Sequence, residues 1–278
     1  LRAYAAADQP EGETFGDHRT LECNSIHRRM AASAGHLYGK NIISNETFTW
    51  LGNPRFTETL EDMKASVDGV FLDGINQIVN HGYSLTHKDL DNPGWCFYAS
   101  SHISHTNTWW PYYKHLAGYI HKVSAFLQLG TPHVEVGIYL PQADVWAENR
   151  LSDVHMAMRL EDRIGRKLAD DINKAGYWFD YLNDHALTEL AVPCEGGIRI
   201  QDNVYKVIIL INCSRLPPET ALALERFVES GGILICAGDL PDDSCGLINR
   251  EERRRAVISS MNRCFANKKD RIVSSCKE

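Results

Sequence analysis

The sequence contains no Cys-x-x-Cys pair, no GxGxxG fingerprint after its strand-like runs and no GxxxxGK[ST] loop. Its eight cysteines are scattered over 278 residues, which gives neither a zinc-ligand spacing nor a disulfide framework. Without the glycine motifs, the usual phosphate cradles of nucleotide-binding sheets are missing. Positive charge is also short: 29 Lys and Arg against 36 Asp and Glu give a net charge of −7. That balance offers nothing to a polyanion and argues against a nucleic-acid partner. No apolar run approaches the ~20 residues needed to span a bilayer. There is no internal repeat or low-complexity tract, and no initiator Met. The opening "LRAYAAADQP" reads as an internal stretch of a longer protein, so the lack of a leader leaves the compartment open.

What is present is a globular composition, 44% hydrophobic and 23% charged, with a length that suits one large domain or two ordinary ones. Residues 1–130 have the rhythm of a parallel α/β sheet. "KNIIS" and "INQIVNHG" are short apolar runs closed by polar residues, as in buried parallel strands, with a third strand expected at "LRAYAAAD". "HRRMAASAGHLYGK" precedes the first run with a helical pattern stopped by Gly39. Between the two runs, Phe56, Leu60, Met63 and Val67 recur at helical spacing before Gly74. A long loop rich in aromatics, His, Asn and Ser follows, residues 83–110, and structureless connections of this length are usually functional. A further helix opens at Pro111, with Leu116, Ile120, Val123 and Leu127 as its apolar stripe. In residues 131–245, "VEVGIYL", "WFDYL", "KVIILIN" and "GGILICAG" alternate with two helical segments. They predict a small doubly wound, flavodoxin-like α/β domain. Residues 246–278 predict a polar helix and a poorly ordered tail.

In parallel α/β folds the functional face lies at the carboxyl ends of the strands. That rule selects Glu46 after the first run, His81 after the second, and Glu11 and Glu13 after the expected opening strand. The long aromatic loop hangs over the same rim. Two carboxylates across a rim with aromatic walls is the equipment of glycoside hydrolysis. Flat aromatic faces suit the apolar side of a sugar ring, and Asn, His and Ser suit its hydroxyls.

The blocks "ADQPEGETFG", "RMAASAGHLYGKNIISNETFTWL", "VFLDGINQIVNHG" and "PGWCFYASSHISHTNTWWPYYKHLAGYIHKVSAFLQLG" resemble consecutive segments of the α-L-rhamnosidases of glycoside hydrolase family 106. "GYWFDYLNDHAL" and the sheet from "VIILIN" to "GGILICAG" resemble the region that follows their barrel. The resemblance implies the C-terminal part of a (β/α)₈ barrel over 1–130 and a small α/β domain over 131–245. It also implies removal of terminal α-L-rhamnose with inversion by two glutamates, a carbohydrate partner, no organic cofactor, and a calcium ion for which no ligand residue is assigned. By this resemblance Glu46 is the general base. The acid is Glu11 or Glu13, with Glu11 slightly favoured. His81 contacts the sugar, and Trp50, Trp95, His102, Asn107 and Trp109 are further candidates for the substrate pocket. Two alternative readings are another exo-glycosidase of β-galactosidase type and a non-catalytic carbohydrate-binding module.

Overall fold

The structure is a computed structural model and describes residues 1–16, 21, 24–51, 55–148, 156–266 and 272–273. The chain divides into two compact units. The first comprises residues 3–35 and 39–130, the second residues 1–2, 36–38 and 131–278.

A short helix, α1 (Arg2–Ala5), occupies the segment expected to be an opening strand. Alanine is the best helix former, and four of them stand among residues 3–7. The strand is instead the acidic block itself, β1 (Glu11–Gly16). Helix α2 (Ile26–Tyr38) leads to β2 (Ser44–Trp50), and helix α3 (Leu60–Leu72) leads to β3 (Gln77–Asn80). The three strands form a parallel sheet in chain order, β1-β2-β3.

Local chemistry sets the helix ends. Gly39 closes α2 with φ 65°, the left-handed conformation that glycine adopts without a Cβ clash. A reciprocal capping box opens α3: Thr59 Oγ1 accepts from the Asp62 N–H at 3.1 Å, and Asp62 Oδ2 accepts from the Thr59 N–H at 2.8 Å. Phe56, expected on the α3 face, therefore lies outside the helix. Helix α4 (Trp110–Leu127) has Pro111 in its first turn. Its buried stripe is Tyr113, Leu116, Ile120 and Ser124. Leu127 lies on the same helix face as Leu116 but is exposed, because as the last residue of α4 it stands beyond the core that Tyr113, Leu116 and Ile120 enter.

The main core of this unit joins Phe48 and Trp50 of β2 to Met63 and Val67 of α3 and to Tyr113, Leu116 and Ile120 of α4. A buried carboxylate ties the two preceding helices together. Asp73, just after α3, accepts from the backbone N–H of Asn24 at 2.5 Å and from Arg28 Nε at 2.6 Å. All of these groups are screened from water, so the charges are compensated where solvent cannot do it.

The second unit runs β4 (Val136–Tyr139), α5 (Gln142–Ala147), α6 (Met156–Ile164), α7 (Arg166–Lys174) and β5 (Phe179–Leu182). An antiparallel meander follows, β6 (Val192–Cys194), β7 (Gly197–Ile200) and β8 (Asn203–Tyr205). Then come β9 (Val207–Ile211), α8 (Pro218–Glu229), β10 (Ile233–Ala237), α9 (Arg250–Phe265) and β11 (Ile272–Val273). The main sheet is parallel, in the order β5-β4-β9-β10-β11. The first strand lies inside the sheet and the direction of winding reverses there. Gly165, at φ 82°, splits the first of the two expected helical segments into α6 and α7. The polar helix expected after residue 246 is α9, held to α8 by Arg263 and Ser260 on Glu225. Of the expected tail only 272–273 is described; the remainder lies outside the described residues.

Candidate active site

All the candidate residues lie in the first unit. Glu13 and Glu46 are register partners on β1 and β2. Paired residues of neighbouring parallel strands project to the same side, and strands lie ~4.8 Å apart. The two carboxylates thus leave one face of the sheet from adjacent positions. Glu11, two residues earlier on β1, leaves the same face; its Cα is about 8 Å from that of Glu46 by the same strand geometry. Glu11 and Glu13 are exposed and Glu46 is partly buried. Glu11 is fixed by its own partner, since Ser44 Oγ donates to its Oε2 at 2.6 Å.

Glu46 does not end its strand. It is the third of seven residues in β2, which continues to Trp50. The strand changes character just after it. The register advances two residues on β1, Glu13 to Phe15, while β2 advances three, Glu46 to Thr49. This is a β-bulge. Phe48 within it has φ 73°, a costly conformation for a bulky residue. The extra residue reverses the alternation of faces. Thr49 thereby falls on the same side as Glu46, and Thr49 Oγ1 donates to Glu46 Oε1 at 2.9 Å. In a regular strand residues three apart point to opposite faces.

The same bulge corrects the expectation for Trp50. Its ring, 1% exposed, packs edge-on to Phe48 at 5.5 Å within the helix-side core. It therefore walls no pocket beside Glu46. On that helix side Thr14, Asn45 and Thr47 share hydrogen bonds, and Asn45 Nδ2 holds the Glu46 carbonyl at 2.7 Å.

The loop after β3 is attached to the bulge at both ends. The His81 N–H donates to the Thr47 carbonyl at 2.8 Å, and Ser101 Oγ donates to the Phe48 carbonyl at 3.0 Å. His81 meets the edge of Phe97 at 5.4 Å. His102 is 4% exposed and stacked on Phe56 at 4.5 Å. Burial, and then the nearby charge of Arg55, holds its imidazole below the usual histidine range. Neither ring nitrogen of His102 has a hydrogen-bond partner among the described residues. Asn107 is buried, with its amide turned to the carbonyls of Ser101 and His102. Trp109 is half-buried, its indole N–H donating to the Glu58 carbonyl at 3.0 Å. Trp95 is 60% exposed.

The structure thus gathers Glu11, Glu13 and Glu46 on one face and places His81 at the end of the neighbouring strand. Asn107, Trp109 and Trp50 are engaged in holding the scaffold. Ser44 and Thr49, which orient the carboxylates, were not singled out from the sequence. Ser44 follows from the register. Thr49 depends on a bulge that no local motif announces. Among the described residues no three His, Cys, Asp or Glu side chains gather to hold a metal ion. Calcium also takes backbone and amide oxygens, and no residue is assigned to the calcium that the resemblance implies.

The profile of glycoside hydrolase family 106, described as α-L-rhamnosidase, matches residues 3–275. The chain belongs to that family. The solved rhamnosidase from Novosphingobium sp. PP1Y superposes on 98% of this chain with a TM-score of 0.67 at 20% identity. That likeness establishes a shared α/β fold. A Formosa agariphila protein named "Putative beta-glucuronidase" is 25% identical over 221 residues, 79% of this chain. The chain spans 25% of the Novosphingobium rhamnosidase and 17% of the Formosa protein. Membership makes this a glycosidase-family chain, and no helix among the described residues is long and apolar enough to cross a membrane.

Proposed function

We propose that this family member supplies the carboxylate face of an inverting α-L-rhamnosidase acting on terminal α-L-rhamnose of glycans or glycosides. In this reading the first unit is the C-terminal part of a (β/α)₈ barrel. The second is a flavodoxin-like domain, and activity belongs to a longer polypeptide that carries both. The chain-order parallel sheet supports the barrel reading. The order β5-β4-β9-β10-β11, second-first-third-fourth-fifth in chain sequence, supports the flavodoxin-like one.

The observation behind the mechanism is the shared face of Glu46 and the two β1 glutamates. Glu46, its carboxylate oriented by Thr49, takes a proton from a water molecule. The oxygen of that water attacks the anomeric carbon. The bond from that carbon to the leaving oxygen breaks, and the acid glutamate delivers a proton to the leaving oxygen. Attack from the face opposite the departing group inverts the anomeric centre. An inverting pair needs roughly 6.5–9.5 Å between carboxyl groups. Glu11, farther along the strand from Glu46, fits that spacing better at the backbone, while Glu13 is the immediate neighbour.

The test uses an aryl α-L-rhamnoside and a polypeptide of family length containing these residues. Glu46→Gln should lower kcat by about 10² to 10⁴ with substrate binding retained. Whichever of Glu11→Gln and Glu13→Gln is rescued by an activated leaving group that needs no proton marks the acid. Near-normal kcat in Glu46→Gln would reject the assignment. A panel of aryl glycosides separates the rhamnosidase reading from a second one, another sugar, which the name of the Formosa relative raises.

A further inference from the structure

The loop over 83–99 is closed at its base and built at its tip. At the base, the Gly82 N–H donates to Ser100 Oγ at 3.0 Å, and the Ile103 N–H donates to the Gly82 carbonyl at 3.1 Å. At the tip, the Trp95 N–H donates to Thr86 Oγ1 at 3.1 Å. Gly94, at φ 79°, lies so close to Thr86 that a Cβ there would stand 2.2 Å from the threonine methyl. A side chain at 94 would thus meet both strain and a clash. Thr86 braces the tip against Gly94 and Trp95.

The loop displays aromatics outward. Trp95 and Tyr98 are each 60% exposed and Phe97 is 45% exposed. Phe97 and Tyr98 lie 4.7 Å apart, and Phe97 continues to His81 at 5.4 Å. A row of rings therefore runs outward from His81. Its root is next to the catalytic candidate, because the loop's stems bond to Thr47 and Phe48, the two residues that follow Glu46. Ahead of the rings the loop carries the hydrogen-bonding side chains Thr86, His87, Asp91 and Asn92, together with the exposed Leu85 and Leu90. Exposed rings also serve protein partners, but here they stand on a loop whose stems are bonded beside Glu46. Exposed rings among hydrogen-bonding groups suit a pyranose, which has an apolar CH face and a rim of hydroxyls.

We propose that Trp95, Phe97 and Tyr98 form a stacking platform for the sugar ring on the leaving-group side of the rhamnosidic bond. The proposal rests on the rhamnosidase reading, since an enzyme that removes a terminal rhamnose has room for further sugar only on that side. It assigns a preference: rhamnosyl saccharides over rhamnosides with a small alkyl leaving group.

The test is direct binding to a polypeptide of family length that contains these residues and carries Glu46→Gln, so it does not depend on turnover. Methyl α-L-rhamnoside and a rhamnosyl-glucose disaccharide are titrated against tryptophan fluorescence, with saturation-transfer NMR reporting which ring contacts protein. The disaccharide should bind about five- to tenfold more tightly, with saturation on its glucose ring. Trp95→Ala combined with Phe97→Ala should erase the difference, and Trp95→Phe should retain most of it. All these positions are exposed, and a thermal transition matching that of the Glu46→Gln protein confirms that the variants fold. Equal affinity for the two probes, or a preference that survives the double substitution, overturns the platform and leaves the glycosidase reading standing. A disaccharide preference without any hydrolysis by the same protein with Glu46 intact keeps the platform and rejects the catalytic reading. Absence of binding by either probe overturns the platform.

Discussion

Thr49 donates to the carboxylate of Glu46 across three residues of one strand, a contact that exists because Phe48 between them adopts a left-handed backbone. Hydrogen bonds to charged groups contribute ~1.5–3 kcal/mol. In the proposed mechanism this one sets which oxygen of Glu46 faces the water. Thr49→Val should therefore lower kcat by about ten- to a hundredfold with little change in KM, and Thr49→Ser should restore most of it. A change in KM alone, or no rescue by serine, would show that Thr49 does not position the base.

The bulge makes an unusual prediction about stability. Phe48 is fully buried, so Phe48→Ala should cost about 3–5 kcal/mol. In an ordinary strand Phe48→Gly would cost more still, because glycine gives up more freedom on folding. Here the left-handed backbone favours glycine by ~1 kcal/mol, so Phe48→Gly should be the milder substitution. Urea midpoints for the two variants decide it; the ordinary order would mean that the bulge is not strained.

Much of the first unit was legible because its helices obey local rules. Gly39, the Thr59–Asp62 box and Pro111 each mark a helix end by the chemistry of one or two side chains. The strands were harder. "EGETFG" has no hydrophobic run, so its pairing with β2 could not be read from the block itself. "NIIS" looked like the strand, yet Ile43 precedes it, packing among Ala31, Val70 and Ile75. The true strand, "SNETFTW", mixes polar and aromatic residues because its two faces serve different ends. The meander β6–β8 was missed because strands of three and four residues give periodicity too little length.

Asp73 should be among the most sensitive positions in the unit. It takes Arg28 and the backbone of Asn24 out of water's reach. Asp73→Ala removes the compensating charge and should destabilise by about 3–5 kcal/mol. Asp73→Asn keeps the shape without the charge and should still be clearly destabilised. Thermal or chemical unfolding measures both, and a loss under about 1 kcal/mol would contradict the buried-pair account.

Tyr113 gives a pH signature. Burial pushes its phenol up to about 12, with Asn80 nearby pulling weakly the other way. An unfolded tyrosine titrates near 10. Below pH 10 both states hold the proton and Tyr113 contributes no pH dependence. Between about 10 and 12 the unfolded chain releases the proton while the folded chain keeps it, so stability falls as pH rises. The loss from this residue approaches ~2–3 kcal/mol once pH passes 12. Tyr139 and Tyr205, also raised by burial, act in the same direction, so the whole chain weakens in alkali. Tyr113→Phe removes one ionisable group from that sum and leaves the ring in the core. Urea unfolding of the first unit's signals at pH 9 and pH 11.5 should show a smaller alkaline loss for Tyr113→Phe than for the unsubstituted chain. An identical loss would mean that Tyr113 reaches water readily enough to ionise in place.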